Sequence, residues 1–287
     1  MRNAIVRIGV VAPASRIAPD LALQVAAFAR RLYPDRPPEI IFHPQCFRSH
    51  GHFAGDDACR AAAFVEMADD DSFDALWFAR GGYGSCRLLD RICVSEPARR
   101  KTYLGYSDMG SLLAFLYKEG VTGAAHGPMP SDLNRPGGET AVARALAFLV
   151  EGAAASLEPT VSATTPTAAF NITILSHLIG TPFEPDLSGH VLMLEEVSEH
   201  MYRIDRALFH LTSAPSIRRV AGIKLGRCSD ILANEPDFGQ TEEDVVRHWC
   251  GVAGIAYLGR ADIGHDVDNK VVPFGAWPRP GRPLDIF

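Results

Sequence analysis

Three polar residues that lie far apart in the chain each stand at or after the end of an apolar, strand-like run: Ser107, Glu195 and His265. Because strand ends of an α/β architecture gather at one edge of a sheet, we expect the three side chains to converge in a cleft. A histidine can take the proton of a serine hydroxyl, and a carboxylate on its other ring nitrogen fixes the tautomer. These residues could form a Ser-Glu-His catalytic triad, in which we expect His265 within hydrogen-bond reach (~2.6–3.2 Å) of both Ser107 and Glu195.

Two of these residues also have plainer interpretations. Ser107 lies at a strand-to-helix junction, where serine is a favoured N-cap. The Gly-x-Ser-x-Gly motif of α/β-hydrolases is not met, because Met109 stands where the motif continues and the glycine is Gly110. Glu195 and Glu196 end an apolar strand, and strand alternation sends one of them toward a site and the other away. The alternative for this pair is a solvated turn.

A glycine-rich loop, Arg80-Gly81-Gly82-Tyr83-Gly84, follows another predicted strand. Paired glycines let a backbone approach a ligand closely, which suits an oxyanion-hole donor. A tight structural turn explains the same residues. A phosphate loop is disfavoured, because the Lys-Ser/Thr of that motif is missing. Ser85, directly after the loop, has no partner pattern that would make it a nucleophile.

The other histidines and the cysteines give no metal-binding pattern. His50 and His52 lack a third ligand at a recognisable spacing, and a His-Glu-x-x-His motif is absent. The six cysteines form no Cys-x-x-Cys pair and are expected to be reduced. The sequence therefore predicts neither a metal nor another cofactor.

Residues 1–150 alternate short apolar runs with amphipathic stretches, which predicts a mostly parallel sheet covered by helices on both faces. The predicted strands are Ile8–Ala12, Glu39–His43, Ala75–Ala79, Thr102–Tyr106 and Ala124–His126. The predicted helices are Ala18–Leu32, Asp56–Met67, Ser85–Ile92, Asp108–Lys118 and Glu139–Val150. The first domain, carrying Ser107, is expected to end at residue 150.

The composition changes at residues 151–168, which are rich in Ala, Ser, Thr and Pro and are predicted to be a linker. Residues 169–287 are predicted to form a smaller, less regular domain that carries Glu195 and His265. Its predicted helices are Ile172–Leu178, Met201–Leu211 and Glu242–Val252, and its predicted strands are Val191–Leu194, Arg218–Lys224, Ile255–Leu258 and Lys270–Pro273.

The overall composition is that of a globular protein and excludes several classes of function. The 287 residues are 47% hydrophobic and 22% charged, which rules out disorder as the main state. The formal net charge of −6 argues against a dedicated nucleic-acid binder. No apolar run approaches the ~20 residues that span a bilayer. Arg7 and Pro13 interrupt the N-terminal apolar stretch before it reaches signal-peptide length, so we expect a cytoplasmic protein.

Taken together, the segments resemble the LD-carboxypeptidase family of serine peptidases, which includes the microcin-immunity hydrolases. The matching stretches occur in the order of the family and cover nearly the whole chain. They are Val10–Ser15, Ala79–Gly84, Gly105–Asp108, His126–Met129, Gly180–Pro182, Leu194–Val197, Tyr202–Arg206 and Gly264–His265.

The resemblance implies a Rossmann-like N-terminal domain, a small β-rich swivelling C-terminal domain and a site in the cleft between them. It assigns the nucleophile to Ser107, the glutamate to Glu195 and the histidine to His265. The oxyanion hole is expected to use the backbone N–H groups of Asp108 and of one glycine of the Gly81–Gly82 pair, with Gly82 as the choice. The family uses no metal.

The implied substrate is the murein tetrapeptide, from which the family releases the terminal D-Ala in peptidoglycan recycling, commonly as a cytoplasmic homodimer. A free carboxylate on the substrate calls for a cationic donor. Arg80 beside the glycine-rich loop is the candidate, with Asn171 as a polar helper. The alternative for Arg80 is a structural ion pair.

Two departures from the family pattern bear on substrate choice. Phe170 stands in a stretch that usually reads Gly-Gly-Asn and would bring bulk near the cleft, and Glu196 replaces the usual aspartate. One alternative function is hydrolysis of a peptidyl nucleotide, for which an aromatic platform would be supplied by Trp77, Trp249 or Trp277. Another is a catalytically dead binding protein, in which Ser107, Glu195 and His265 would make no mutual contact.

Overall fold

The computed structural model describes residues 5–277, and their strands form two sheets. The strands are β1 (Arg7–Val11), β2 (Glu39–Phe42), β3 (Ala75–Phe78), β4 (Thr102–Gly105), β5 (Ala124–His126), β6 (Thr167–Asn171), β7 (Val191–Val197), β8 (Gly222–Ser229), β9 (Tyr257–Arg260) and β10 (Val272–Pro273). The helices are α1 (Pro19–Leu32), α2 (Asp57–Asp69), α3 (Glu96–Arg100), α4 (Gly110–Lys118), α5 (Gly138–Glu151), α6 (Ile172–Leu178), α7 (Met201–Ser213) and α8 (Glu242–Ala253).

The first sheet has the strand order β10-β5-β4-β3-β1-β2, and all its pairs are parallel except β10–β5. Its central strands are apolar on both faces because both faces are covered by helices. In β3, Trp77 packs with α1 and α5, whereas Leu76 and Phe78 pack with α2 and α4. The predicted parallel sheet with helices on both faces is confirmed.

The second sheet, β6-β7-β8-β9, is parallel throughout. Helices α6, α7 and α8 pack against it, and their apolar residues continue the α2–α4 core of the first half without a break. The predicted two-part α/β architecture is therefore present. The second half is more regular than its sequence pattern indicates, because β7 and β8 extend beyond the predicted apolar runs into polar residues.

The connection between the two sheets is tightly held. Glu158 is buried and pairs with Lys224 of β8, with 3.2 Å between Oε1 and Nζ. The Glu158 backbone N–H donates to Val271 O at 2.9 Å. Thr167 and Ala168, which the composition places in the linker, lie in β6. The domain boundaries at residues 150 and 169 stay a prediction.

The C-terminal segment returns to the first sheet and joins it to the second. In β10, Val272 pairs with His126 of β5. Just beyond β10, Gly275 and Thr167 exchange backbone hydrogen bonds of 2.9 and 3.1 Å, which links the segment to the start of β6. Strand β10, the last in the described chain, thus forms one edge of the first sheet.

Several predicted elements differ from the structure in extent. The helix predicted over Ser85–Ile92 is a 3₁₀ turn over Ser85–Leu88. Helix α3 and strand β6 were not predicted, because α3 is a single turn and β6 is rich in alanine rather than in β-branched residues. The strand predicted over Arg218–Lys224 begins later, at Gly222, since residues 217–219 form a 3₁₀ turn.

Candidate active site

Ser107 occupies a strained turn between β4 and α4. Tyr106 is still extended, but Ser107 has a φ of 63°, in the left-handed region that non-glycine residues seldom occupy. The chain then enters a 3₁₀ turn and α4. Such strain at a strand-to-helix junction holds a side chain above the sheet edge, as in the nucleophile elbow of hydrolases. Ser107 has this geometry although the sequence motif for it is incomplete.

The glycine-rich loop lies directly against Ser107. A Cβ on Gly81 would stand 2.8 Å from both Cβ and Oγ of Ser107, so no side chain fits at Gly81. The peptide bond that follows Gly81 carries the N–H of Gly82. Ser85 holds the loop to the nucleophile turn, because its N–H donates to Asp108 Oδ2 at 2.8 Å and its hydroxyl donates to Asp108 O at 2.5 Å.

Glu195 and His265 are hydrogen-bonded to each other. His265 Nδ1 lies 2.5 Å from Glu195 Oε2, the Glu195 side chain is fully buried, and the His265 side chain is 8% exposed. The second carboxylate oxygen, Glu195 Oε1, is buried and has no hydrogen-bond partner among residues 5–277. When Nδ1 donates to the carboxylate, Nε2 of the neutral ring is left as the acceptor.

The pKa of His265 is raised above its usual value. Burial lowers this pKa, but the charge of Glu195 and its hydrogen bond to the ring outweigh burial. Glu196 adds a weaker contribution in the same direction, and Arg135 opposes it. The imidazolium is therefore stabilised at the position where a general base would hold a proton.

Glu195 reaches the histidine from an irregular place in the second sheet. The β7–β8 register shifts between Leu194 and Glu196, so that Gly226 and Arg227 both stand opposite Glu195. Bulges of this kind re-aim side chains beside functional sites. A Cβ on Gly226 would lie 3.1 Å from Glu195 Cβ and 2.7 Å from Ile263 Cγ1, which explains why glycine stands at this position.

His265 is carried by residues 261–270, here named the His265 loop, which follows β9. Arg227 of β8 ties down both flanks of His265. Its Nη1 donates to Asp262 Oδ1 at 2.6 Å, and its Nη2 donates to Asp266 Oδ1 at 2.8 Å. From the first half of the chain, Arg135 donates to the His265 carbonyl. The loop is thus bound to both halves of the molecule.

Tyr106, the residue before Ser107, forms one wall of the His265 ring. The two ring centroids are 4.9 Å apart. The Tyr106 hydroxyl donates to the buried Asp132 Oδ1 at 2.8 Å, which fixes the ring. His126 contacts the same ring, with 5.7 Å between centroids. Through Tyr106, the nucleophile turn and the His265 loop come into contact.

The structure brings together most, but not all, of the predicted triad. Glu195 contacts His265, and His265 packs on the residue before Ser107. The predicted hydrogen bond between Ser107 and His265 is not present, and the Ser107 hydroxyl has no hydrogen-bond partner within residues 5–277. Catalytic hydrogen bonds are often long in unliganded enzymes and shorten when substrate binds.

Glu196 and Asn171 are hydrogen-bonded to each other and to the first turn of helix α6. Asn171 caps α6 by accepting from Ile174 N at 3.1 Å, and its Nδ2 donates to Glu196 Oε1 at 2.5 Å. Glu196 also accepts from the backbone and hydroxyl of Thr173, at 2.9 and 2.7 Å. Glu196 therefore points away from His265, as strand alternation predicts. Both polar groups of the Asn171 side chain thus already bind protein atoms. A role for Asn171 in binding substrate stays a prediction.

Phe170 does not enter the cleft. It is 1% exposed, contacts Phe274 with 5.0 Å between ring centroids, and lies 3.4 Å from a Cβ placed on Gly110. The expectation that Phe170 brings bulk near the cleft is wrong, because β6 turns this side chain into the core between the two sheets.

Arg80 and the three tryptophans also find their places. Arg80 is exposed, and no described residue forms an ion pair or hydrogen bond with its guanidinium.

Trp77 is fully buried and donates to Pro128 O at 2.8 Å. Trp249 donates to Asp205 Oδ1 at 2.8 Å, and Trp277 packs on Phe148. Burial excludes Trp77 as an aromatic platform, whereas Trp249 and Trp277 are half-buried.

Within residues 5–277, no group of three or more His, Cys, Asp or Glu side chains could hold a metal ion. His52 contacts Ser15, with 3.2 Å between Nε2 and Oγ. In the same part of the chain, no helix is long and apolar enough to cross a membrane.

Comparison with known proteins points to one family. Residues 8–127 match the LD-carboxypeptidase N-terminal domain, and residues 166–279 match the LD-carboxypeptidase C-terminal domain. A relative from Synechocystis sp., named "Putative carboxypeptidase", is 31% identical over 242 residues, covering 83% of this chain and 80% of its own. The murein tetrapeptide carboxypeptidase of Pseudomonas aeruginosa is 25% identical over 303 residues, covering 94% and 91%. The fold matches the crystal structure of muramoyltetrapeptide carboxypeptidase from Oxalobacter formigenes with a TM-score of 0.78, at 24% identity over 93% of both chains.

Proposed function

Because the chain belongs to the LD-carboxypeptidase family, we propose that it releases the terminal D-Ala from murein tetrapeptide. In this proposal Ser107 is the nucleophile, His265 the general base and Glu195 the acid that orients the base. The observation that carries the assignment is the 2.5 Å contact between His265 Nδ1 and Glu195 Oε2, with the His265 ring packed on Tyr106, the residue before the strained Ser107. The relative from Pseudomonas aeruginosa, named for the same reaction, supports the substrate.

The reaction proceeds in two halves. The Ser107 hydroxyl attacks the scissile carbonyl while His265 Nε2 takes its proton, and the backbone N–H groups of Gly82 and Asp108 stabilise the oxyanion. His265 then protonates the departing amine, which leaves as D-Ala, and the acyl group stays on Ser107. Water, deprotonated by His265, attacks the ester and returns free serine and the shortened peptide.

The direct test is mass spectrometry of the purified protein incubated with murein tetrapeptide. We expect a product that has lost one alanine, and none with Ser107→Ala. Ser188→Ala, at an exposed serine of the second half, is the control. An unchanged tetrapeptide with the wild-type protein, or full release by Ser107→Ala, would contradict the proposal.

Arg80 is proposed to bind the C-terminal carboxylate of the substrate. It is exposed beside the loop that touches Ser107, and a charge-assisted hydrogen bond is worth about 1.5–3 kcal/mol. Arg80→Ala should therefore lower kcat/KM about 10- to 100-fold for the free peptide and leave an amidated peptide unaffected. Arg30→Ala, at the exposed end of α1, is the control. An unaltered preference for the free carboxylate excludes this role for Arg80.

Neither alternative function is favoured by the site. The dead binding protein predicts no contact within the triad, whereas Glu195 and His265 are in contact. The peptidyl-nucleotide hydrolase calls for an aromatic platform, and of the three tryptophans Trp77 is buried while Trp249 and Trp277 are half-buried and already contact other side chains.

A cytoplasmic location, a role in murein recycling and a homodimeric state belong to the same proposal. Light scattering on the purified protein tests the dimer, and cell fractionation tests the location.

A further inference from the structure

Asn269 connects the His265 loop to the first sheet from inside the protein. It is 1% exposed, and its Oδ1 lies 3.2 Å from Gly264 N and 3.1 Å from His126 Nε2. Because a backbone N–H can only donate, the Asn269 atom that faces Gly264 is the carboxamide oxygen. One buried oxygen therefore holds the residue next to His265 and, at the same time, a histidine of β5.

His126 is the fixed end of this connection. It is 1% exposed and stands on β5 in register with Gly105 of β4, two residues before Ser107. Since Asn269 Oδ1 only accepts, His126 Nε2 must carry the proton. His126 and His265 both contact the Tyr106 ring, so the two ends of the Asn269 link meet the nucleophile turn at the same side chain.

The other ties of the loop from the first half grip the backbone nearer the surface. Arg135 donates to the His265 carbonyl, and its side chain is 39% exposed. Arg144, which is half-buried, donates to Val267 O and Asn269 O at 2.8 and 2.9 Å. These arginines fix the path of the loop. Neither arginine connects the His265 loop to β5.

We propose that Asn269, held by His126, is the positioning residue for His265: it sets the loop at the height where the imidazole lies between Glu195 and the Tyr106–Ser107 turn. This inference rests on the proposed function, in which His265 is the base. Neither Asn269 nor His126 is assigned a contact with substrate. Loss of the link should therefore lower kcat and leave KM nearly constant, because misplacement of a base by about 1 Å can cost on the order of 100-fold in rate.

The experiment compares four variants of the full chain. Asn269→Ala removes the link, and His126→Phe keeps the ring on Tyr106 but removes the donor. His126→Gln restores a donor at the same reach. His190→Phe is the matched control, because His190 is 6% exposed and its ring centroid lies 5.7 Å from that of Tyr117, the separation between His126 and Tyr106; unlike His126, it also hydrogen-bonds the tyrosine hydroxyl, at 2.8 Å. Melting temperatures are measured for all four.

With murein tetrapeptide, we expect Asn269→Ala and His126→Phe to lower kcat about 10- to 100-fold with KM changed less than about threefold. His126→Gln should recover most of the loss that His126→Phe causes, and His190→Phe should keep the wild-type kcat even where its melting temperature falls. If His126→Gln is as slow as His126→Phe at equal melting temperature, or if Asn269→Ala keeps the wild-type kcat, the positioning role is wrong.

A spectroscopic measurement separates this inference from the proposed function. The proton between His265 Nδ1 and Glu195 should give a far-downfield NMR signal, identified by its loss in Glu195→Gln. We expect Asn269→Ala and His126→Phe to shift or broaden it, and His190→Phe to preserve it. A signal that is unchanged in Asn269→Ala overturns the inference. Failure of the wild type to release D-Ala instead overturns the function, and the signal then decides the positioning role alone.

Discussion

Two buried histidines contact the ring of Tyr106, and their pKa values move in opposite directions. His126, at the end of β5, has its pKa lowered to about 4, because burial outweighs the attraction of Glu195. His265, in its loop, has a raised pKa although burial lowers it as well. The difference is direct contact: His265 shares a hydrogen bond with Glu195, whereas His126 is bonded to the neutral amide of Asn269.

The comparison shows that burial does not select the acid–base group at this site. Burial disfavours both imidazolium ions, and a buried carboxylate at hydrogen-bond distance reverses the result for one of them. His126 stays neutral at physiological pH and can act as a fixed hydrogen-bond donor. His265, whose pKa Glu195 raises, is the ring that favours holding a proton. Two histidines at one site thus have different roles: His126 is a neutral structural donor, and His265 is the proposed base.

The largest expected effect is on the rate. His265→Ala should lower kcat about 10⁴- to 10⁶-fold, because removal of the base disables the whole triad. His126→Phe should cost far less, since it displaces the base without removing it. The measurement is single-turnover release of D-Ala by both variants. Comparable losses of rate in the two variants would contradict the separate roles of His265 as base and His126 as structural donor.

Glu195→Gln should lower kcat about 10²- to 10⁴-fold, because the amide cannot stabilise the imidazolium. It should also change the pH profile. The active form has neutral His265, so kcat/KM rises with pH through the pKa of His265, above ~6.5 in the wild type. Without the carboxylate charge, burial dominates and the rise should move to lower pH. If the pH profile of kcat/KM is the same in Glu195→Gln and wild type, Glu195 does not set the pKa of His265.

His126 should make the fold sensitive to acid. Its folded pKa of about 4 lies below the unfolded value of ~6.5, so the unfolded chain binds more protons between these limits. The contribution is fully present above pH ~6.5 and is lost as the pH falls toward 4, on the order of 2 kcal/mol between pH 7 and pH 5. Urea unfolding of wild type and His126→Gln at both pH values measures it. An equal loss of stability in the two proteins is incompatible with a neutral buried His126.

The smallest expected effect concerns Glu196. Its charge also raises the pKa of His265, but more weakly than Glu195, and it has no contact with the ring. Glu196→Gln should move the acid limb of kcat/KM to lower pH by less than Glu195→Gln does, with a modest change in kcat. A shift as large as that of Glu195→Gln would mean that the two carboxylates act on His265 as one group.

Strand ends were the productive signal in the sequence. They locate Ser107 and Glu195, and the same rule reaches His126, which ends a predicted strand. The strained φ of Ser107 could not be predicted, because the incomplete glycine motif gives no sign of it. Phe170 was misjudged because one residue's direction in a short alanine-rich strand cannot be determined without the neighbouring strand.

The supporting residues gave little or no signal. Asn269 stands in a polar loop and contacts His126 across 143 positions of the chain, so no local pattern marks it. Gly226 looks like an ordinary strand glycine until the β7–β8 register places it against Glu195. Residues that hold a site together act across sheets, and sequence periodicity describes only one element at a time.

The antiparallel strand β10 has a consequence for any attempt to divide this protein. Its pairing with β5 covers one margin of the first sheet, and it comes from residues that follow the second sheet in the chain. A fragment that stops before Val272 would leave the backbone donors and acceptors of β5 open to other molecules, and such margins recruit foreign strands. The first half expressed alone should therefore aggregate, and a peptide spanning the β10 residues added in trans should keep it in solution.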